Sequence, residues 1–393
     1  CFRGSQGKRV ATGNGAYRLD EATRRLLPLA ARGAWDDVQR DTAARLARDV
    51  ADWNTFCDVA TRSLGVCLSY RLFLTLPESV VPAQVLGRMQ QASRMFAMYS
   101  LQIEAGQLDF MADCLAPLGV RHAFFKGAAL AHRYHAVPAA RPCRDVDVLV
   151  DPDMAFDILR HACSLGYVPV QGIGTSEREL AAWLKRETVY GVRAPNGVLV
   201  EIHQSLDHGD GRLDVGRLLS RAEGIDFRGR TLPVLHTSDL FVYMCMHHTR
   251  HFWSHLHWYA DLDAIIGHPL FDLAEVRGFA GDVGLSSTVE ACLQLNGYAR
   301  TGDWPGTLSL DRGAGEALLA RSIECLEGGP EHEVKLRAER LSADRAFAWQ
   351  STHGERVVLF ANRIRHRVRK QFLRAWNFLA RHARAVLRAS ATK

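Results

Sequence analysis

Two aspartates one residue apart, Asp145 and Asp147, open the apolar run of "RPCRDVDVLVDPD" (residues 141–153). In an extended chain the side chains at i and i+2 leave the same face, so these carboxylates sit side by side. Like charges that close resist ionising together, and a cation between them removes the conflict. Taken alone, the pair also reads as two turn aspartates in solvent ahead of a strand. Further along, Glu201 and His203 in "GVLVEIHQSL" (197–206) share a face by the same spacing, while Val198, Val200 and Ile202 fill the other. If the two strands adjoin, Asp145, Asp147 and Glu201 converge. Three acids suit a hard divalent cation, Mg²⁺ or Mn²⁺, that takes carboxylate and phosphate oxygens together. A pair of such ions about 4 Å apart braces both the attacking and the leaving oxygen of a phosphoryl or nucleotidyl transfer.

Upstream, "FFKGAAL" (124–130) sets Lys126 and Gly127 at a strand-to-helix junction. A glycine lets a phosphate approach the backbone, and a helix N-terminus offers free N–H groups and positive dipole. Lys126 adds a point charge. Arg141, just before the acidic strand, is a second candidate for phosphate, with a solvated loop arginine as the plain alternative. His247, His251 and His255 recur every four residues and read as one helix face. That spacing can bind zinc, but no H-E-x-x-H is present and no acid lies within the run, so a buried or pocket-lining face is preferred. Asp261, in "WYADLD", is placed to fix histidine or arginine side chains at the pocket.

The elements that must carry these residues follow from period and punctuation. "LDEATRRLLPLAARG" (19–33) has apolar residues at helical spacing and a glycine stop, and residues 17–80 read as short helices. One long helix is expected from about Val85 to Leu115. The period then turns strand-like at His122–Phe125, and helical at "KGAALAHRYH". It is strand-like again over Arg144–Val150 and helical in "DPDMAFDILRHACSLG" and "SERELAAWLKR". Thr188–Arg193 and Val198–His203 flank Pro195-Asn196-Gly197 as a hairpin. After about Thr237 the helical period returns. The expected class is α+β: a small mixed sheet flanked by N- and C-terminal helical regions. The expected divisions are 1–80, 81–235, 236–350 and a tail helix over 351–393.

The ordered set "FFKGAALAHRYH…RPCRDVDVLV…VLVEIHQSL" resembles the nucleotidyltransferase fold superfamily (DNA polymerase β-like). That superfamily shows a glycine-containing strand–helix turn, a D-x-D strand and a third acid on a later strand. More narrowly, the chain is similar to a bacterial family of uncharacterised nucleotidyltransferases, with its K-G-x-x-L turn, R-P-x-x-D-x-D-x-L-V strand and acid-x-His strand. "DLFVYMCMHHTRHFWSHLHWYADLDAII" (239–266) resembles the C-terminal half of that family through His247, His251, Trp253, Leu256, Trp258 and Asp261. The resemblance covers roughly residues 80 to 300. It implies the fold and a reaction class, with metal on Asp145, Asp147 and Glu201. It also implies nucleotide contacts at Lys126, Gly127, Arg141, His203, His247, His251 and Asp261. Three departures stand out: Ala128 follows Gly127 where serine is usual, seventeen residues separate Gly127 from Asp145, and Glu201 stands where aspartate is usual.

Composition bounds the partners. The net charge of +6 is an average over two unlike parts. Residues 356–393 hold eleven Lys/Arg and no acid, and against the chain's +6 this leaves −5 for the remainder. A basic nucleic-acid-binding body is therefore not expected. The tail is helical by period, with Val357, Ile364, Val368, Phe372 and Trp376 along one face and arginines on the others. It reads as packed on the acidic body, laid on an anionic membrane surface, or bound to RNA or an acidic partner. No apolar run reaches the length of a membrane span. The opening "CFRGSQGKRVATGNGAYRLD" has no apolar core of a signal peptide. Nine scattered cysteines without a CxxC suggest a reducing compartment. The expectation is a cytoplasmic enzyme, peripheral at the inner membrane face if the tail is an anchor. It moves a nucleotidyl group from NTP to a small-molecule or peptide acceptor with Mg²⁺. Sugar or phosphate transfer on the same fold, and a non-catalytic scaffold held by its tail, are the alternatives.

Overall fold

The computed structural model describes residues 17–339, apart from 171, 208–211, 305–307 and 309–312, together with 364 and 368. Of the tail, 351–393, Ile364 and Val368 alone are described, both helical and exposed; the rest of that expectation, and the opening residues 1–16, fall outside the described residues. Four helices come first among the described residues: α1 (Glu21–Ala30), α2 (Asp37–Arg48), α3 (Trp53–Arg62) and α4 (Val66–Phe73). Asp20, Asp36 and Asp52 cap the first three, each side chain accepting from a backbone N–H of the first turn. The long helix α5 (Ala83–Phe110) continues through a π turn at Met111–Leu115 and a 3₁₀ turn at Ala116–Leu118, and stops at the left-handed Gly119.

The middle of the chain alternates strands and helices. It runs β1 (His122–Phe124), α6 (Gly127–Tyr134), β2 (Val146–Val150), α7 (Ala155–Ser164), β3 (Val168–Pro169) and α8 (Glu177–Leu184). It continues as β4 (Val189–Arg193), β5 (Leu199–His203), α9 (Val215–Ser220), β6 (Glu223–Phe227) and β7 (Arg230–Val234). These strands form one seven-stranded mixed sheet, in the order β3-β4-β5-β2-β1-β7-β6. Strand β2 runs parallel to β5 and antiparallel to β1. The class is α+β, as the sequence implies. The sequence reading places no element between His203 and Thr237, and the structure puts α9 and the β6–β7 hairpin there. That hairpin turns on Arg228-Gly229, both at positive φ. Arginine is an unusual residue for such a two-residue turn, so the signal was weak.

The remaining helices are α10 (Thr237–Arg250), α11 (His257–Ile266), α12 (Leu273–Asp282), α13 (Ser286–Thr301) and α14 (Ala314–Glu339), the last broken at Gly329-Pro330. They do not form a separate core. Leu26, Phe56 and Leu72 from the first helices pack in one apolar cluster with Phe241, Leu262, Leu295 and Leu318 from the last ones. The sheet lies between two apolar layers. Val146, Val148 and Val150 of β2, with Val200 and Ile202 of β5, pack with Ile158, Leu159 and Trp183 of α7 and α8. Strand alternation turns Asp147, Glu201 and His203 to the opposite face, toward the helical layer. Among the described residues no helix is long and apolar enough to cross a membrane, and the eight described cysteines are free thiols.

Candidate active site

The register of β2 and β5 decides the geometry. They pair in parallel with Asp147 opposite Glu201 and Leu149 opposite His203. Asp145 lies one residue ahead of β2. All three carboxylates line one cavity of about 230 Å³, with Lys126, Gly127, Arg141 and Arg144. Two of them carry metal-competent atoms alongside His203: one ligand atom each from Asp147, Glu201 and His203 lie within 4.8 Å of one another. Asp145 stands outside that tight group.

Asp147 is 4% exposed and heavily engaged. Its Oδ1 accepts from Lys126 Nζ at 3.3 Å and pairs with His203 Nε2 at 3.0 Å. His203 Nε2 is also 3.8 Å from Glu201. Burial opposes the Asp147 charge, but Lys126 and His203 outweigh it and hold the carboxyl below the usual range. The neighbouring acids go the other way. Burial, then the Asp147 charge, pushes Asp145 up to about 6. Burial, then Asp147 and Asp145, pushes Glu201 up to about 7. Three acids thus crowd round a single ammonium, leaving a deficit of positive charge that a divalent cation fits. Asp147, Glu201 and His203 are close enough to share such an ion, and Asp145 lines the same cavity.

Lys126 is caged. Its Nζ lies 5.2 Å from the Phe125 ring centre and 5.6 Å from that of Tyr243. Burial works against its charge, and Asp147 and Tyr243 keep it protonated beyond the ordinary lysine range. Gly127 begins α6 at φ +57°, where a Cβ would stand 3.0 Å from the Asp145 carbonyl oxygen. The turn therefore brings α6 against the acidic loop in a way that only glycine allows.

Arg141 and Asp261 form a buried bidentate pair. Arg141 Nε and Nη2 donate to the two carboxylate oxygens at 3.0 and 2.7 Å, and His135 Nε2 adds a third contact at 3.0 Å. Burial opposes the Asp261 charge, yet Arg141 and His135 hold its carboxyl far below the usual range. The sequence gives Lys126 and Arg141 to phosphate. The structure gives each of them a carboxylate, Asp147 and Asp261 respectively.

The histidine run departs from its expected shape. Helix α10 ends at Arg250, His251 is its C-cap, and His255 lies beyond it. Phe252 and Trp253 both take positive φ, at 53° and 52°, and reverse the chain there. A bulky residue in that conformation is strained, and two in succession are not written in a hydrophobic period. His247 lines the cavity, whereas His251 does not: its Nδ1 meets Glu333 at 2.8 Å. In place of one helix face, five histidine rings surround Trp258, with His248 stacked on it at 4.4 Å and His255 tilted against it at 4.8 Å. Sequence reasoning missed His248, His257 and Arg144 as lining residues, and Tyr243 as part of the cage round Lys126. Tyr243 stands four residues before His247 on α10, which was an available signal.

A family described as "Uncharacterised nucleotidyltransferase" matches residues 49–303. Among curated proteins none matches the chain. Among solved structures, a similar one is an antigenic nucleotidyltransferase-like protein from Paracoccidioides brasiliensis, at 14% identity and a TM-score of 0.26, covering 50% of this chain and 91% of that one.

Proposed function

The chain belongs to the uncharacterised nucleotidyltransferase family, and from that footing we propose that it transfers a nucleotidyl group from NTP to a hydroxyl or phosphate oxygen of an acceptor, with Mg²⁺ or Mn²⁺. The observation that carries this reading is the parallel β2–β5 register, which sets Asp147 opposite Glu201 on the cavity face.

In the proposed reaction the acceptor oxygen bonds to the α-phosphorus of NTP. The bond from that phosphorus to the α–β bridging oxygen breaks, and pyrophosphate leaves. Glu201 has one of two roles: it holds the metal, the acceptor's proton then passing to solvent, or it takes that proton itself. A bound divalent ion would supply charge neutralisation at the phosphate oxygens. Lys126 locks Asp147 in place from within its aromatic cage, and His203 fixes the same carboxylate from the β5 side. Arg141, clamped by Asp261, holds the loop that carries Asp145. The N-terminus of α6 at Gly127 offers backbone N–H groups toward the cavity.

The test is incubation of the purified protein with each NTP, Mg²⁺ and a cell extract, read by mass spectrometry. The expected product is an acceptor heavier by one nucleotidyl unit, absent when Asp145→Asn and Asp147→Asn are combined. The same products from that double variant, or none from any NTP, would overturn the proposal. A mass gain of a bare phosphoryl or glycosyl unit would replace it with the other transfer.

A further inference from the structure

Three permanent cations line the cavity, and two are already matched. Lys126 is held by Asp147 and Arg141 by Asp261. Among the described residues Arg144 has no carboxylate within salt-bridge distance: its side chain makes one long contact, 3.5 Å to the Arg62 carbonyl, and the neighbouring Asp145 acts on it only through space. The imidazoles of His255 and His257 line the same cavity, stacked 5.6 Å apart, with Trp258 4.8 Å from the His255 ring. His257 is 6% exposed, and its Nδ1 is sealed in protein with no hydrogen-bond partner among the described residues. A sealed N–H would leave a donor unmade, so the ring proton is better placed on Nε2.

After burial, the largest electrostatic influence on each histidine of this wall is an arginine. Burial and then Arg144 push His255 down to about 4. Burial and then Arg141 push His257 far below its usual value. Two acids act on them from behind: Asp261, engaged by Arg141 and His135, and Glu333, on the His255 side, engaged by His251 and Ser254. The cavity therefore has an acidic part, where Asp145, Asp147 and Glu201 gather, and a part short of negative charge.

The geometry points to an oxyanion subsite formed by Arg144, His255 and His257, taking a phosphate group that Lys126 and Arg141 are not free to hold. Its chemistry fits two sources: the terminal phosphates of a nucleotide, or a phosphate carried by the acceptor. Which of these arrives rests on the nucleotidyl-transfer reading; the binding of phosphate does not.

The probe is inorganic tripolyphosphate in excess EDTA, with no nucleotide, so loss of nucleotidyl transfer and loss of this subsite are separate results. Calorimetric titration of the full chain should show binding that weakens about tenfold in Arg144→Gln and comparably in His255→Asn, as expected for losing a hydrogen bond to a charged group. Both positions are at least partly exposed, and unchanged melting curves would show that the fold is kept. Arg144→Lys should recover part of the loss, since it restores the charge without the planar fork. Asp145→Asn should bind tripolyphosphate at least as tightly as the wild type. Absence of binding in the wild type, or equal binding in both Arg144→Gln and His255→Asn, overturns the subsite. Two further arms identify the source. Glycerol phosphate binding on top of saturating metal-free ATP assigns the wall to the acceptor. Competition between ATP and tripolyphosphate without added glycerol phosphate binding assigns it to the nucleotide.

Discussion

Asp145→Asn removes a charge that the folded protein resists. The carboxyl stands at about 6 in the fold, roughly two units above an unperturbed aspartate, and each unit is worth about 1.4 kcal/mol. Ionising Asp145 thus costs the metal-free fold on the order of 3 kcal/mol, reduced toward ~1–2 kcal/mol by partial contact with solvent. The folded state holds this proton more tightly than the unfolded chain does. The Asp145 contribution to stability is therefore full below about pH 4 and is lost as the pH rises through about 6. Asparagine, of nearly the same shape, has no such dependence. Urea unfolding followed by circular dichroism in EDTA should find variant and wild type alike near pH 4. Near pH 8 the variant should be more stable by about 1–2 kcal/mol. Mn²⁺ should then reverse the order, because ligand bound only to the folded state stabilises it by mass action. A variant less stable than the wild type by the same amount at both pH values, or one raised as far by Mn²⁺, would refute the electrostatic account of the site.

Mn²⁺ affinity should climb as the pH rises from about 5 to 8, by about tenfold per proton released per unit, since Asp145 and Glu201 must both ionise; a flat titration would remove them as ligands. Asp261→Asn leaves Arg141 buried without its carboxylate, which should cost about 3–5 kcal/mol and lower the melting temperature whether or not metal is present. Gly127→Ala forces a side chain at φ +57° against the Asp145 carbonyl and should cost on the order of 1–2 kcal/mol. Its thermal melt should fall, with the helical circular dichroism retained.

The period of two by itself put Asp147, Glu201 and His203 on one face of their strands, because alternation is a property of any extended chain. The Pro-Asn-Gly turn marked the β4–β5 hairpin, and the change from helical to strand-like spacing near His122 marked the start of the sheet. Those features are local, and a local pattern is legible in one dimension. What lay beyond it depended on residues far apart in sequence. Parallel pairing of β2 with β5 joins segments more than fifty residues apart, and nothing within either strand names its partner. The capture of Lys126 by Asp147 and of Arg141 by Asp261 spans 21 and 120 residues. Both arginine and lysine read as free phosphate ligands until the fold supplies the buried carboxylate that each must satisfy. The histidine run kept its spacing of four but not its helix, because two residues at positive φ turned the chain and gathered five imidazoles round Trp258. Sequence determined which side chains could meet on a face. Tertiary structure decided which of their charges were already spent, because only packing sets the distance between one charge and the next.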